Sequence, residues 1–199
     1  MSDHIIKQNT RILTPNEYEA LRGQMSPLYQ VLCDALLFSG MRPIEFSRFR
    51  PEWYKPSRRS IHLPRGACLK KKCQYTERTI LLSLPGCDAF DNLLNLQFRR
   101  KGTNRRAYEI QPARVSFGDT LKRYAEAAGI GTEGISPKMF RKTLASWYVA
   151  VYPEKLAFIS ASMGHDPNTL IKHYLGMGFT REELETIRTK YIPEWGVAA

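Results

Sequence analysis

Apolar side chains return every third or fourth position over two long stretches of the chain, and between them lies a short region where they come in brief runs broken by proline and glycine. In the first helical stretch Thr14-Pro15-Asn16-Glu17 combines an N-cap hydroxyl, a proline at the first helical position and a glutamate three residues after the cap, predicting a helix from there to about Gly23. Ser26-Pro27 opens a second helix, whose Leu28, Val31, Leu32, Ala35 and Leu36 recur at helical spacing until Gly40 stops it. Pro43 restarts a short helix through Phe46. From about Ser60 the runs Ile61–Leu63, Ala67–Leu69 and Arg78–Leu82 read as a small antiparallel sheet, with Lys70–Glu77 as the turn between the last two strands. Helical periodicity then resumes near 88–98, 113–128, 137–152, 154–163, 167–175 and 181–190, the last opened by a second capping box, Thr180-Arg181-Glu182-Glu183. The expectation is an α+β fold, mainly helical, with one small antiparallel three-stranded sheet.

Composition narrows the class. A chain of 199 residues with 43% hydrophobic and 11% aromatic side chains can bury one sizeable core, which excludes wholesale disorder. No apolar run approaches the ~20 residues of a membrane span and the N-terminus lacks a signal-peptide apolar region, so a cytoplasmic protein without a membrane partner is expected. The four cysteines, Cys33, Cys68, Cys73 and Cys87, form no CxxC pair and stand with no histidine at zinc-ligand spacing. They read as reduced thiols, and neither a metal nor a cofactor is expected.

Charge changes the picture more. Thirty Lys and Arg against 19 Asp and Glu give a formal net charge of +11, which points to a polyanion, nucleic acid first. Residues 51–110 hold 13 basic and 5 acidic side chains, so 13 − 5 = 8 of the eleven excess charges lie there. The dense parts are Lys70-Lys71-Lys72 in the predicted turn and the basic loop Arg99–Arg106.

Four segments far apart in sequence add candidate chemistry. In Ser39-Gly40-Met41-Arg42-Pro43-Ile44-Glu45 a helix stops and Arg42 begins the next, where backbone N–H groups and a guanidinium can converge on an anion. Lys70–Lys72 is the second. In Lys138-Met139-Phe140-Arg141-Lys142 the two outer cations of the Lys138/Arg141 pair share a helix face, while Phe140, Leu144, Trp147 and Val151 form the core stripe; Lys138 and Arg141 are thus expected on the non-core side. In Gly164-His165-Asp166-Pro167 an N-cap and a first-turn proline start a helix that ends near His173 and Tyr174. Taken singly, each segment is also what a surface arginine, a solvated turn, an amphipathic helix or a half-buried ring would look like.

In order and spacing, the four together resemble the catalytic domain of tyrosine recombinases, the phage-type integrases and Xer-type resolvases. That family's pattern is a TGxRxxE box, a hairpin lysine, an HxxR box, an LGH box and a tyrosine about nine residues past that histidine, and the resemblance runs from about Thr14 to Tyr191. It implies that Arg42 and Arg141 clamp a DNA phosphate, that His165 is a third hydrogen-bond donor, and that the phenol of Tyr174 is the nucleophile, leaving a 3′-phosphotyrosyl link and a free 5′-hydroxyl. A hairpin lysine, Lys72 with Lys71 second, would protonate the departing oxygen. Glu45 matches an acidic position that orients other residues. Lys138 stands where the family usually has histidine; an ordinary lysine is mostly protonated at neutral pH, so the expected role is donation of charge and a hydrogen bond to a nonbridging oxygen. The resemblance further implies double-stranded DNA as partner, association with the nucleoid when bound, and a tetramer on synapsed DNA. It divides the chain into an N-terminal arm or linker (1–13), a catalytic domain (14–191) and a tail (192–199), with the family's core-binding domain absent from this chain. The rival readings are a type IB topoisomerase and a non-catalytic DNA-binding protein of the same fold. In the family the segment after the tyrosine docks on a neighbouring protomer; here it could equally pack on its own domain.

Overall fold

Thr14 begins the first helix as its sequence predicts: its hydroxyl accepts from the Glu17 N–H, and the Glu17 carboxylate accepts from the Thr14 N–H. In the computed structural model, residues 4–67, 77–99, 114–164, 166–174 and 176–196 are described. Two strands, β1 (Ile5–Lys7) and β2 (Thr10–Ile12), form a hairpin ahead of helices α1 (Pro15–Gly23), α2 (Pro27–Ser39) and α3 (Pro43–Phe46). Strands β3 (Tyr54–Lys55), β4 (Ser60–Leu63) and β5 (Arg78–Leu81) make an antiparallel sheet in the order β3-β4-β5. Among the described residues six α-helices follow: α4 (Leu84–Arg99), α5 (Arg114–Ala127), α6 (Lys138–Val151), α7 (Leu156–Met163), α8 (Pro167–Tyr174) and α9 (Arg181–Thr186), the last continued by a π-helical turn, Ile187–Tyr191. The expected architecture, mainly helical with a small three-stranded antiparallel sheet, is the one observed.

The strand assignments differ in one member. β4 pairs directly with β5, Ser60 opposite Leu81 and Leu63 opposite Arg78, and Tyr54–Lys55, a strand the sequence pattern does not predict, pairs on the other edge of β4. Ala67 lies in a bend, and residues 68–69 and Lys70–Lys72 lie outside the described residues, as does most of the basic loop after Arg99. Tyr54–Lys55 is easily read as loop because Pro51 and Pro56 flank it, yet its alternation of one buried and one exposed residue is that of a strand at a sheet edge. α4 begins at Leu84, four residues before its periodicity becomes evident, since Pro85 is tolerated in a first helical turn.

α6 is the centre of the packing. Its Met139, Phe140, Leu144, Ala145, Trp147 and Tyr148 are buried, so the helix has almost no solvent face. Trp147 donates its indole N–H to the Leu13 carbonyl (3.0 Å), and the Leu13 N–H donates to Thr143 Oγ1 (2.9 Å), which stitches the chain entering α1 onto α6. The segments expected as an arm and a tail contribute to the same interior. Arg11 and Ile12 of β2 are fully buried, and so are Ile192 and Trp195. The Trp195 ring lies 4.2 Å from that of Tyr148, and its indole N–H donates to the Leu81 carbonyl (2.9 Å). Tyr191 packs among Tyr18, Phe38 and Trp147. The terminal segment therefore packs on its own domain. Among the described residues, no helix is long and apolar enough to cross a membrane.

Burying a tryptophan of this kind is worth several kcal/mol. Trp195→Ala is expected to destabilise the protein by about 3–5 kcal/mol, read as a lower urea midpoint at unchanged slope.

Candidate active site

Glu45 is a carboxylate with no solvent exposure, and its position decides where the site's cations lie. Its Oε2 accepts from the Arg42 N–H (2.8 Å) and its Oε1 from Arg42 Nη1 (2.7 Å). Arg78 reaches it from the sheet with both terminal nitrogens, Nη1 to Oε1 (2.9 Å) and Nη2 to Oε2 (2.7 Å), a bidentate pair. The backbone N–H expected to help bind an external anion at Arg42 is thus already taken by Glu45, as a four-residue helix requires to cap its own first turn.

The second organising feature is the C-terminal end of α7. Three consecutive carbonyls there each accept from a different arginine: Ser162 from Arg78 Nε (3.1 Å), Met163 from Arg141 Nη2, and Gly164 from Arg42 Nη2 (3.4 Å). Arg141 also donates Nη1 to the Gly40 carbonyl at the end of α2 (2.6 Å). A helix C-terminus exposes unsatisfied carbonyls and the negative end of the helix dipole, so these are natural partners for guanidinium groups. Both helix ends come this close because each stops at a left-handed glycine. A Cβ on Gly40 (φ +58°) would meet Met163 Sδ at 2.8 Å, and one on Gly164 (φ +62°) would meet Arg78 Cδ at 2.9 Å.

Arg141 does not lie on the non-core side expected for it. It is buried, because its planar fan of donors bridges the two helix ends, whereas Lys138, one turn earlier on α6, is exposed. Tyr174 ends α8 and is buried, 6% exposed. The structure thus brings Arg42, Arg141 and Tyr174 together, with Lys138 at the rim of the same helix as Arg141. His165 and Lys72 lie outside the described residues.

The electrostatics follow from this crowding. Burial alone would raise the Glu45 carboxyl, but its hydrogen bonds to Arg78 and the charges of Arg78, Arg141 and Arg42 outweigh that and hold it well below the usual carboxylate range. Burial pulls the Arg141 guanidinium below its ordinary value, and Arg42 and Arg78 add to this, with Glu45 and Tyr174 opposing. Burial raises the Tyr174 phenol, while Arg141 and Arg42 partly offset the rise. Two guanidinium groups pair with Glu45 and the charge of a third acts on it, so among these described residues three positive charges stand against one negative. Such a site favours an anion, and above all one that gains negative charge as it reacts. Among the described residues, no group of three or more His, Cys, Asp and Glu is placed to hold a metal ion.

Arg78 was not singled out by its sequence context. The available signal was its place in the alternation Arg78, Ile80, Leu82, all buried, since a charged residue at an inward strand position needs a buried partner.

No protein-family model matches the sequence, and no curated protein matches it. Solved structures do. The crystal structure of XerA recombinase superposes with a TM-score of 0.68 at 16% identity, over 94% of this chain and 67% of that one. The Tn1549 transposon integrase in complex with transposon right end DNA gives 0.63 at 19%, over 94% and 66%. A lambda integrase dimer bound to a COC′ core site gives 0.62 at 13%, over 89% and 64%. This chain spans about half to two thirds of the length of the chains it matches, 49% in the case of XerH recombinase. Its fold is that of the tyrosine recombinase catalytic domain.

Removing the charge of Glu45 tests the electrostatic frame. Glu45→Gln is expected to cost about 3–5 kcal/mol at neutral pH because it leaves buried guanidinium charge uncompensated. The folded-state pKa of Glu45 is depressed, so its contribution is fully present above the unfolded value of ~4.3 and is lost as pH falls through the lower folded value. Urea midpoints of the two proteins should therefore differ most above about pH 5 and converge towards acid.

Proposed function

We propose that this protein is a site-specific DNA recombinase that breaks and rejoins DNA through Tyr174, with residues 14–191 as its catalytic domain. The observation that carries this reading is the placement of the Tyr174 phenol within the electrostatic field of both Arg141 and Arg42. A phosphodiester held by these two guanidiniums would stand beside the Tyr174 hydroxyl.

In the proposed step the Tyr174 oxygen forms a bond to phosphorus and the phosphorus–O5′ bond breaks. The phenolic proton passes to solvent water with the attack, and the ammonium of Lys72, assigned on the family resemblance, gives a proton to the departing 5′-oxygen. The product is a 3′-phosphotyrosyl link, which conserves the bond energy for rejoining when a 5′-hydroxyl attacks in reverse. Arg42 and Arg141 stabilise the extra charge of the phosphorane-like transition state. His165 is assigned the third donor and Lys72 the acid for the 5′-oxygen, both on the family resemblance. Lys138, exposed at the first turn of α6, is assigned a charge-assisted hydrogen bond to a nonbridging oxygen. A tetramer on two synapsed duplexes is the proposed working assembly.

The XerH and Tn1549 integrase structures hold DNA substrates, which supports duplex DNA as the partner here. The rival readings separate on two assays, adduct formation on a nicked duplex and relaxation of a supercoiled plasmid. On a duplex nicked near the cleavage point, a covalent protein–DNA species should accumulate and vanish in Tyr174→Phe, while DNA affinity is kept. Tight binding with no adduct would instead favour a non-catalytic DNA-binding protein, and relaxation of supercoils without strand exchange would favour a topoisomerase.

Lys138→His should retain adduct formation at a rate within about tenfold of the parent, since either side chain can donate a hydrogen bond to a nonbridging oxygen. Because burial leaves the Tyr174 phenol protonated, adduct formation in both proteins should accelerate as pH rises from about 7 to 9. Loss of cleavage in Lys138→His with intact binding would reject the role given to that position.

A further inference from the structure

A second group of cations stands beside the site on the outer flank of α6. Lys142 follows Lys138 by one helical turn, and its Nζ donates to the backbone carbonyl of Lys7, the last residue of β1 (3.0 Å). Lys7 is held firmly at that spot. β1 pairs with β2 through Lys7 opposite Thr10, and the turn between them, Gln8–Asn9, carries positive φ at both residues (50° and 54°). β2 is fixed in turn by the Arg11 N–H donating to the Gly134 carbonyl (3.0 Å).

Lys142 sits one turn from Lys138 and against the Lys7 main chain, near enough for the charges of both to act on it. Several cations elsewhere in the fold are matched by a carboxylate: Arg22 by Asp34, Arg59 by Glu194, Lys190 by Glu19, and Arg42 and Arg78 by Glu45. No ion pair joins Lys7, Lys138 or Lys142 to an acidic side chain among the described residues. Burial, then the charges of Lys138 and Lys7, depress the Lys142 ammonium below its ordinary value. Three like charges at close range are a standing cost that a polyanion would relieve. Successive lysines on a helix face rise by ~6 Å per four residues, and duplex DNA offers a phosphate every ~1.7 Å of axis over its two strands, so the group can meet more than one phosphate.

We propose that Lys7 and Lys142, continuing from Lys138, form a phosphate-binding site for the DNA backbone next to the phosphate held by Arg42 and Arg141. The hairpin β1–β2 is thereby a DNA-contacting element. The inference rests on the recombinase reading and adds to it residues that the family resemblance does not supply. The contacts are to the backbone, so they are independent of base sequence and contribute to the salt dependence of binding.

The test is the dependence of affinity on KCl, measured by fluorescence anisotropy with the full chain carrying Tyr174→Phe and a duplex of about 30 base pairs of arbitrary sequence, between about 50 and 200 mM salt. Lys7→Gln and Lys142→Gln are each expected to reduce the slope of log affinity against log salt by about 0.9, and the double variant by about 1.8. Glutamine at 142 keeps a donor for the Lys7 carbonyl, so the hairpin should stay docked, which an unchanged melting temperature checks. Lys142→Arg, which keeps the charge, should keep the slope. A parent protein with a steep slope and a folded double variant with the same slope overturns this inference and leaves the recombinase reading standing. A parent protein whose slope is near zero overturns both. Should Lys142→Gln lower the melting temperature, Lys7→Gln alone decides, because Lys7 contributes only its main chain to the Lys142 contact.

Discussion

The meeting of one buried carboxylate and one helix C-terminus with three arginines is the constraint around which this structure is arranged. Glu45 cannot be buried as an anion without cations, and the last carbonyls of α7 cannot be buried without donors. Arg42 and Arg78 answer both demands at once, since a guanidinium has five N–H groups and can satisfy a carboxylate with one edge and a carbonyl with another, while Arg141 bridges the carbonyls of two helix ends and adds its charge to the field at Glu45. The arrangement draws together elements from separate parts of the chain: α3 brings Glu45 and Arg42, β5 brings Arg78, and α6 brings Arg141. α2 and α7 contribute the ends that they cap.

This economy explains why the same residues can serve both stability and chemistry. A cation held by main-chain carbonyls keeps its charge and is fixed in direction, which is what stabilisation of a developing negative charge requires. Because three guanidinium charges stand against one carboxylate among these residues, the centre remains electropositive after its internal pairs are made. The Tyr174 phenol, carried in by α8, is buried beside that excess. In the proposed reaction the cationic frame would stabilise developing negative charge and the phenol would supply the attacking oxygen. Lys138 and Lys142 on α6, with Lys7 of β1 beside them, place further positive charge on the helix that carries Arg141.

Much of the secondary structure was legible along the chain because its signals are local. Capping boxes at Thr14 and Thr180, the proline-started helices, and the glycine stops at 40 and 164 depend on residues within one turn of each other. The strand Tyr54–Lys55 was hidden because two residues carry no periodicity and their pairing with Ser60–Ile61 is the only thing that makes them a strand. Arg141 was legible as a candidate by motif, yet its burial was not, because the carbonyls that permit it come from Gly40 and Met163, 101 and 22 residues away. Arg78 was missed for the same reason: its partner Glu45 lies 33 residues earlier, and the local signal, an inward place in its strand's alternation, does not say what would pair with it.

The amino-acid sequence by itself determined the helical character, the positions of the caps, the basic excess and the ordered set of motif residues, all of which follow from composition and short-range spacing. Tertiary structure alone decided which cations are structural and which remain to act on a ligand. That distinction depends on which carboxylates and carbonyls long-range folding places within about 3 Å of each guanidinium or ammonium group. Net charge counts Arg78 and Lys142 alike; only the folded chain closes Arg78 onto Glu45 and leaves Lys142 under the charges of Lys138 and Lys7.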